Sequence, residues 1–412
     1  MKANSNLSRR VFIANSSILA LGAPAASYAR TMSSNDNIHV GLIGCGNRGS
    51  SLRMELLKEA EAAHVKITAV CDIWEAKRQA AARHVEDIQG HKPSQYIRYE
   101  DVLTQKDLHA VVIATPDHLH PIILRDAAKA ALDAYVEKPL AIHFGDLCEA
   151  YDAVKANETV VQNGTQLRSL PSFTGCREFV RSGGLGSIIR IEQARNEYYP
   201  YWYQYRREIQ ENETDWNRFL AHAASRPWDP EVYTAWMGYR PFSNGAFGGY
   251  MTHFTDLVHY ITGASAPRSV VSMSWKNQLK DNFTVPSCVQ AVFDYPEGYS
   301  VSYHTTTGNG GANFFRAVGS KGILDMSDWN HPVVSGEGSL DPEAIQEKQE
   351  IPSTDHDSHM LDWLKCIRSR KQPNAGIEAG FAQALTAIMA DEALLQNRRI
   401  AFDPQARQLK AI

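Results

Sequence analysis

The sequence of 412 residues lacks a run of about 20 predominantly apolar residues, the length that a membrane-spanning helix needs. Stable membrane insertion is therefore not expected. It also lacks a basic cluster. The formal net charge is −4, and a mildly acidic chain without basic runs argues against nucleic acid or an anionic membrane surface as the main partner. Cysteine is scarce. The six cysteines, at 45, 71, 148, 176, 288 and 366, include no CxxC pair. Their spacing fits no zinc site, and no metal is expected. Internal repeats and low-complexity tracts are missing too. What is present is ordinary globular composition, 43% hydrophobic and 21% charged. That length and composition suit two or three domains with a sizeable core.

Residues 1–29 do not read as fold. Ser8-Arg9-Arg10-Val11-Phe12-Ile13 is a twin-arginine pattern, followed by a weakly apolar stretch diluted by Asn15, Ser16, Ser17, Gly22 and Pro24. It closes on Ala26-Ser27-Tyr28-Ala29, small residues suited to cleavage. The expectation is a twin-arginine signal peptide and a periplasmic or otherwise exported protein. Removing Lys2, Arg9 and Arg10 with this segment takes the net charge from −4 to −7. Because that route carries folded proteins out of a reducing cytosol, the thiols are expected reduced and mostly buried. Residues 30–37 form a polar linker.

A doubly wound pattern follows over 38–164. Short apolar runs at 38–43, 65–70, 110–114, 134–136 and 159–163 alternate with helical stretches at 50–60, 74–87, 119–131 and 145–156. Strands alternating with helices make right-handed βαβ units and a parallel sheet, a Rossmann domain. From 165 to 412 the pattern changes. A helix at 172–182 leads to strand-like runs at 187–195, 268–276, 286–295, 299–307 and 314–326, with turn signals between them. This second α/β domain should hold an open, mostly antiparallel sheet, helices on one face and an oligomer surface on the other. A helix at 376–396, apolar on one side, packs back on the body.

Gly44-Cys45-Gly46-Asn47-Arg48-Gly49 stands between the first strand and the first helix, the context that gives a GxGxxG its meaning. Gly44 permits the tight turn, Gly46 lets backbone approach a pyrophosphate, and Gly49 lets helix and strand pack closely. Helix N-terminal amides then face the phosphates. Asp72 ends the second strand, where an acid accepts hydrogen bonds from a ribose 2′-hydroxyl and repels a 2′-phosphate. NAD is favoured over NADP. Thr115, Pro116, His118 and His120 lie at the C-terminal end of the third strand, the edge where such sheets bind ligands. Each histidine serves equally as a residue of the helix start.

These segments resemble the Gfo/Idh/MocA oxidoreductases. The matching pieces are GLIGCGNRG (41–49), Asp72, TPDHLH (115–120), EKPLA (137–141), NGTQLR (163–168) and GGLGSI (183–188). The block DWNRF…RPWDP…W (215–236), GGYMTHFTDLVHYITG (248–263) and GSKGIL (319–324) match as well. The resemblance implies a Rossmann domain, a C-terminal α/β domain, a nicotinamide cofactor, a homo-oligomer, and a sugar or related polyol as substrate. It makes Lys138, of the Glu137-Lys138-Pro139 motif, the catalytic lysine, with a cis bond before Pro139. Physically, an ammonium beside the reacting carbon donates to the hydroxyl or carbonyl oxygen and stabilises a developing alkoxide.

The second catalytic motif departs from the common family form. Relatives carry an acid followed four residues later by a histidine. Here His253 holds the acid's place and Leu257 the histidine's, and the chain offers His253, Asp256 and His259. On a helix the three span an arc of roughly 120° and can share a face. His253 is the expected general base, with Asp256 orienting a histidine or binding a substrate hydroxyl and His259 one turn further along. The trio also has the spacing of three metal ligands. Gln166 and Arg168 are expected near the domain junction. Tyr199 and Trp202, in the aromatic run 196–203, are expected to stack on a sugar, although core packing or an oligomer contact accounts for that run as well.

Three functions follow from these residues. The first is an oxidoreductase that keeps its NAD bound and regenerates it in place. The second is an NAD-dependent glycosidase that oxidises C3 transiently and eliminates the aglycone. The third is a non-catalytic sugar-binding protein with a structural dinucleotide.

Overall fold

The computed structural model describes residues 36–275 and 282–412. The expected export segment 1–29 lies outside them. Six short strands carry the first half: β1 (Ile38–Ile43), β2 (Val65–Cys71), β3 (Ser94–Tyr96), β4 (Ala110–Ile113), β5 (Asp133–Val136) and β6 (Val161–Asn163). They form one parallel sheet in the order β3-β2-β1-β4-β5-β6, the doubly wound order that brings ligands to the carboxyl ends of β1 and β4. β1, β4 and β5 are buried almost throughout, as sheets covered on both faces require. The helices between them are α1 (Asn47–Glu59), α2 (Glu75–Gln89), α3 (Tyr99–Leu103), α4 (His120–Lys129) and α5 (Phe144–Asn157). β3 and α3 were not anticipated: three residues are too few for a period to show.

The second half begins with α6 (Pro171–Arg181) and β7 (Ile188–Ala194), then α7 (Trp216–Leu220), α8 (Pro230–Thr234) and α9 (Thr252–Thr262). The strands that follow are β8 (Ser269–Trp275), β9 (Cys288–Asp294), β10 (Ser300–Thr305), β11 (Phe314–Gly319), β12 (Gly322–Asp325), β13 (Val333–Ser335) and β14 (Gln349–Glu350). Helices α10 (His359–Ser369) and α11 (Ile377–Gln396) precede β15 (Ile400–Asp403) and β16 (Gln408–Ala411). The ten strands pair in the order β14-β13-β12-β11-β7-β10-β9-β8-β15-β16. All contacts in this sheet are antiparallel except β7 with β10. The run expected as one strand over 314–326 is a hairpin, turned at Ser320-Lys321.

One helix from beyond residue 165, α10, returns to the Rossmann half. Met360, Trp363, Leu364 and Ile367 join Val40, Leu42, Leu52 and Leu56 in one buried cluster, filling the helix layer beside α1. The helix expected to be apolar on one side is buried nearly all round: α11 lies between the large sheet, α9 and α5. A helix with Ala on most sides reads as weakly amphipathic in sequence, yet small side chains are what let it be enclosed. The far face of the large sheet leaves Val271, Met273, Trp275 and Val292 exposed.

Candidate active site

A cavity of about 1070 Å³ runs from the glycine turn along the ends of β1 and β4 to the second domain. At the phosphate end, Gly44 has φ +91°, and a Cβ there would sit 2.5 Å from the Ala114 carbonyl. A Cβ on Gly49 would lie 1.9 Å from the Gly44 carbonyl oxygen, so helix and turn touch through backbone. Gly46, the N-cap of α1, faces open space. That gap, with the first amides of α1 behind it, is the cradle a diphosphate needs. Asp72 closes the far end of β2. Its Oδ2 accepts from Cys45 N at 2.6 Å and its Oδ1 from Trp74 N at 2.8 Å, which fixes the carboxylate facing the cleft and leaves lone pairs for ribose hydroxyls. Asn47, Arg48, Trp74 and Lys77 line the same wall. These residues fit a dinucleotide with a free 2′-hydroxyl.

At the end of β4, Thr115, Pro116 and His120 border the cavity and His118 does not. His118 turns into the second domain, its Nε2 2.8 Å from Phe219 O and its ring 5.6 and 5.1 Å from those of Phe219 and Phe242. His120 is buried, with its nitrogens at Pro139 O (2.8 Å) and Thr115 O (2.7 Å). It staples two loops rather than offering a ring to a ligand.

The reaction end is assembled from distant segments. Glu137 Oε1 accepts from Arg48 Nε at 2.6 Å and from Gln166 Nε2 at 3.0 Å, and Glu137 Oε2 accepts from Lys138 N at 3.2 Å. A Cβ on Gly164 would collide with this carboxylate. The Lys138–Pro139 bond is cis. The Lys138 ammonium donates to Gly249 O at 2.9 Å. Gly249 lies in a π-helical turn, Phe247–Met251, that leads into α9; such widened turns recur at functional sites. One turn on, His253 lines the cavity, and its Nδ1 is buried without a partner among the described residues. Burial, and after it Lys138, Arg48, Arg195 and His359, holds this imidazole neutral, far below the ordinary histidine range. A neutral imidazole beside an ammonium can take a proton while the lysine supplies a hydrogen bond.

The rest of the expected trio points elsewhere. Each third residue of a helix turns the side chain by about 60°, so only the first of His253, Asp256 and His259 meets the cleft. Asp256 is fully buried and accepts from Nε and Nη2 of Arg168, each at 2.7 Å. Neither Asp256 nor Arg168 touches the cavity; the pair ties α9 to the turn 166–169. His259 Nε2 meets the Tyr295 hydroxyl at 2.9 Å in the core. The aromatic expectation was out of phase by one or two residues. Trp202 is fully buried, and Tyr199 is half-exposed and stacks on Tyr203 outside the cavity. From that run Tyr201 and Tyr205 line it instead, among other aromatics that include Tyr250, Trp236 and Trp329. A Cβ on Gly249 would fall 2.9 Å from the Tyr201 hydroxyl, so this phenol stands beside the carbonyl that anchors Lys138. Asp117, inside the TPDHLH motif, also lines the cavity; nothing in the motif itself sets it apart from its histidine neighbours.

A strand–turn–helix with an anionic-ligand cradle, an acid at the second strand end and a lysine across the cleft define a dinucleotide-binding oxidoreductase architecture. Residues 38–165 match the oxidoreductase family with an NAD-binding Rossmann fold, and residues 218–325 match the GFO/IDH/MocA C-terminal domain. Together these matches span more than half of the sequence, and the chain belongs to the Gfo/Idh/MocA oxidoreductase family. Among curated relatives, levoglucosan dehydrogenase of Pseudarthrobacter phenanthrenivorans is 26% identical over 178 residues, 43% of this chain and 39% of that protein. Glycosyl hydrolase family 109 protein 2 of Shewanella sp. (strain ANA-3) is 30% identical over 166 residues, 39% of this chain and 35% of that protein. The matches thus span about two fifths of these relatives' length. A solved levoglucosan dehydrogenase, in complex with NADH and L-sorbose, shares the fold with a TM-score of 0.68 at 19% identity, over 89% of this chain and 99% of that one.

Proposed function

We propose that this protein is an NAD-dependent oxidoreductase acting on a hydroxyl or carbonyl of a sugar or related polyol, with its cofactor held tightly. The observation that carries this reading is that Lys138 and His253 line the cavity that starts at the glycine turn, with the Lys138 ammonium held on the Gly249 carbonyl in the turn that leads to His253. NAD, when bound, supplies the hydride acceptor or donor. Gly44, Gly46 and Asp72 would hold its diphosphate and ribose, and Arg48, Glu137 and Gln166 border the reaction end. Lys138 then steadies the substrate oxygen while His253 takes or returns its proton. Tyr201, Tyr205 and Trp329 offer apolar ring faces to a sugar. The twin-arginine pattern supports export, and a tightly held cofactor suits a compartment without an NAD pool. The exposed apolar residues of β8 and β9 support a homo-oligomer through the open sheet face, which light scattering would test.

The experiment is to purify the protein, denature a portion and identify the nucleotide released. Free aldoses and polyols are then added to the remainder, and the absorbance of reduced nicotinamide is followed. Reduction by one sugar and reoxidation by a second carbonyl compound is the expected result; a protein that carries no nucleotide and ignores added NAD sinks the reading. A second reading, transient C3 oxidation with elimination of an aglycone, is favoured by the likeness to glycosyl hydrolase family 109 protein 2. It predicts release of p-nitrophenol from a p-nitrophenyl glycoside with no net redox change. A sugar-binding protein with structural dinucleotide would do neither.

A further inference from the structure

The connection from β7 to α9, residues 195–251, carries a small core of its own. Asp215 caps α7, its carboxylate accepting from Arg218 N at 3.1 Å, and Asp229 caps α8, accepting from Glu231 N at 3.0 Å and Val232 N at 3.1 Å. Thr214 Oγ1 donates to the Tyr233 hydroxyl at 2.9 Å and ties the two helices together. Helices this short are held by packing, not by propensity. Trp216 stacks on Phe219 with ring centroids 5.1 Å apart, and Phe219 meets Tyr233 and Phe242 at 5.1 and 4.7 Å. Among the described residues, no strand of the large sheet contributes to this cluster. Ile73 and Trp74 of the Rossmann half pack against it instead, and they are the two residues that follow Asp72.

The cavity beyond Asp72 therefore has two walls. Trp74, Tyr99 and Glu100 line it from the Rossmann half, and Arg218, Phe219 and Tyr233 line it from this segment. Three contacts join the walls. His118 Nε2 donates to Phe219 O at 2.8 Å in a buried bond. Arg218 Nη1 reaches both carboxylate oxygens of Glu100 at 3.4 Å. The Tyr233 ring meets the Trp74 ring edge-on at 6.1 Å. Ile97 and His222, both exposed, stand on the rim where the walls part. In a dinucleotide the adenine is bonded to the carbon next to the one that bears the 2′-hydroxyl. If Asp72 binds that hydroxyl, the base lies beside the carboxylate, in the space that these walls enclose.

We propose that residues 214–236 are a cap over the adenosine half of the dinucleotide, and that the nucleotide leaves only when this cap lifts from the Rossmann half. This rests on the reading of the cavity as an NAD site; that reading has the cofactor held tightly, and the cap says by what. The His118–Phe219 bond is the buried part of the fastening, and the Arg218–Glu100 pair is the part that meets water. Sugar and nucleotide then use different doors. The reaction end keeps the exposed Trp329 at its border, so substrate can come and go while the cap stays down. A segment that served only to fill the second domain would not set the rate at which nucleotide escapes.

The test reads escape directly. The protein as purified is mixed with excess NAD that carries a heavy-isotope label, freed of unbound nucleotide at intervals and denatured, and the ratio of light to heavy NAD is read by mass spectrometry. The unaltered protein should exchange over hours, at the slow end of residence times. Arg218→Gln and Glu100→Gln each remove one side of a half-exposed pair, which leaves the fold intact, and each should speed exchange by about threefold. Because the pair is one interaction, the double variant should be no faster than the quicker single one. His118→Leu strands the buried Phe219 carbonyl and should speed exchange by roughly tenfold. Unchanged exchange in both glutamine variants overturns the cap. Bound nucleotide that exchanges within seconds in the unaltered protein also overturns it and leaves the NAD reading standing, whereas a protein that carries no nucleotide and ignores added NAD ends both.

Discussion

The two ends of the cavity are built in opposite ways. The phosphate end is nearly all backbone, drawn from one unbroken stretch, 38–49, with Asp72 at the next strand end. Its fit depends on what is missing: the Cβ that Gly49 cannot carry beneath the Gly44 carbonyl, and the open space beside Gly46. The reaction end is nearly all side chain. Lys138, Gln166, Tyr201 and His253 come from four segments, joined by bonds such as Lys138 to Gly249, 111 positions apart. A backbone site tolerates any sequence that keeps its turn, whereas a side-chain site fails when one contact is lost.

The comparison is tested most severely at Lys138. Lys138→Met keeps the bulk and removes the ammonium, and should cut kcat/KM by roughly 10²–10⁴-fold, the usual worth of one positioned donor or acid. The bound dinucleotide should remain, as read by its absorbance after denaturation. Loss of nucleotide together with activity would show the two ends to be one unit. The next effect lies behind the site. Asp256→Ala strands the buried Arg168 guanidinium and should cost about 3–5 kcal/mol in denaturant unfolding, with little change in the pH profile of whatever activity survives.

A smaller effect belongs to the phosphate end. Asp72→Ser removes the carboxylate that repels a 2′-phosphate, and should narrow the preference for NAD over NADP by roughly tenfold, about one charged hydrogen bond. Equal affinity for both nucleotides in the unaltered protein would remove Asp72 from this role. Between these in kind is Tyr201→Phe, which deletes a single hydroxyl beside the Lys138 anchor. It should weaken sugar turnover by about fivefold, the net value of one hydrogen bond, and leave nucleotide content alone.

How far the sequence disclosed each end follows from the same contrast. The glycine turn was legible because its meaning is local: strand, turn and helix are consecutive, and the acid follows at the next strand end. Lys138 and His253 were legible only through family resemblance, since nothing in EKP or in THFTD says what faces them. The failures are failures of direction. Trp202 and Tyr199 stand in an aromatic run whose 3₁₀ turn, Tyr201–Tyr205, has a phase the run does not disclose. Asp256 and His259 share a helix with His253, but a fan of 120° is wider than the cavity. α10 sits in the Rossmann layer because Trp363 packs against Tyr135, a contact across more than half the chain.

The smallest expected effect is also the sharpest statement about the reaction end. A solvent-exposed histidine acting as base would lose activity as pH falls through about 6.5. His253 is held well below that by burial first, then by Lys138, Arg48, Arg195 and His359. A base must be neutral to accept a proton, so its acid limb shifts to lower pH, and turnover should change less than about twofold between pH 8 and pH 6 on this account. In Lys138→Met one of the cations is gone, the imidazole protonates more easily, and the limb of the residual activity should move up toward 6.5. A limb already centred near 6.5 in the unaltered protein would mean that His253 meets bulk water, and the side-chain end would then be far less enclosed than the backbone end.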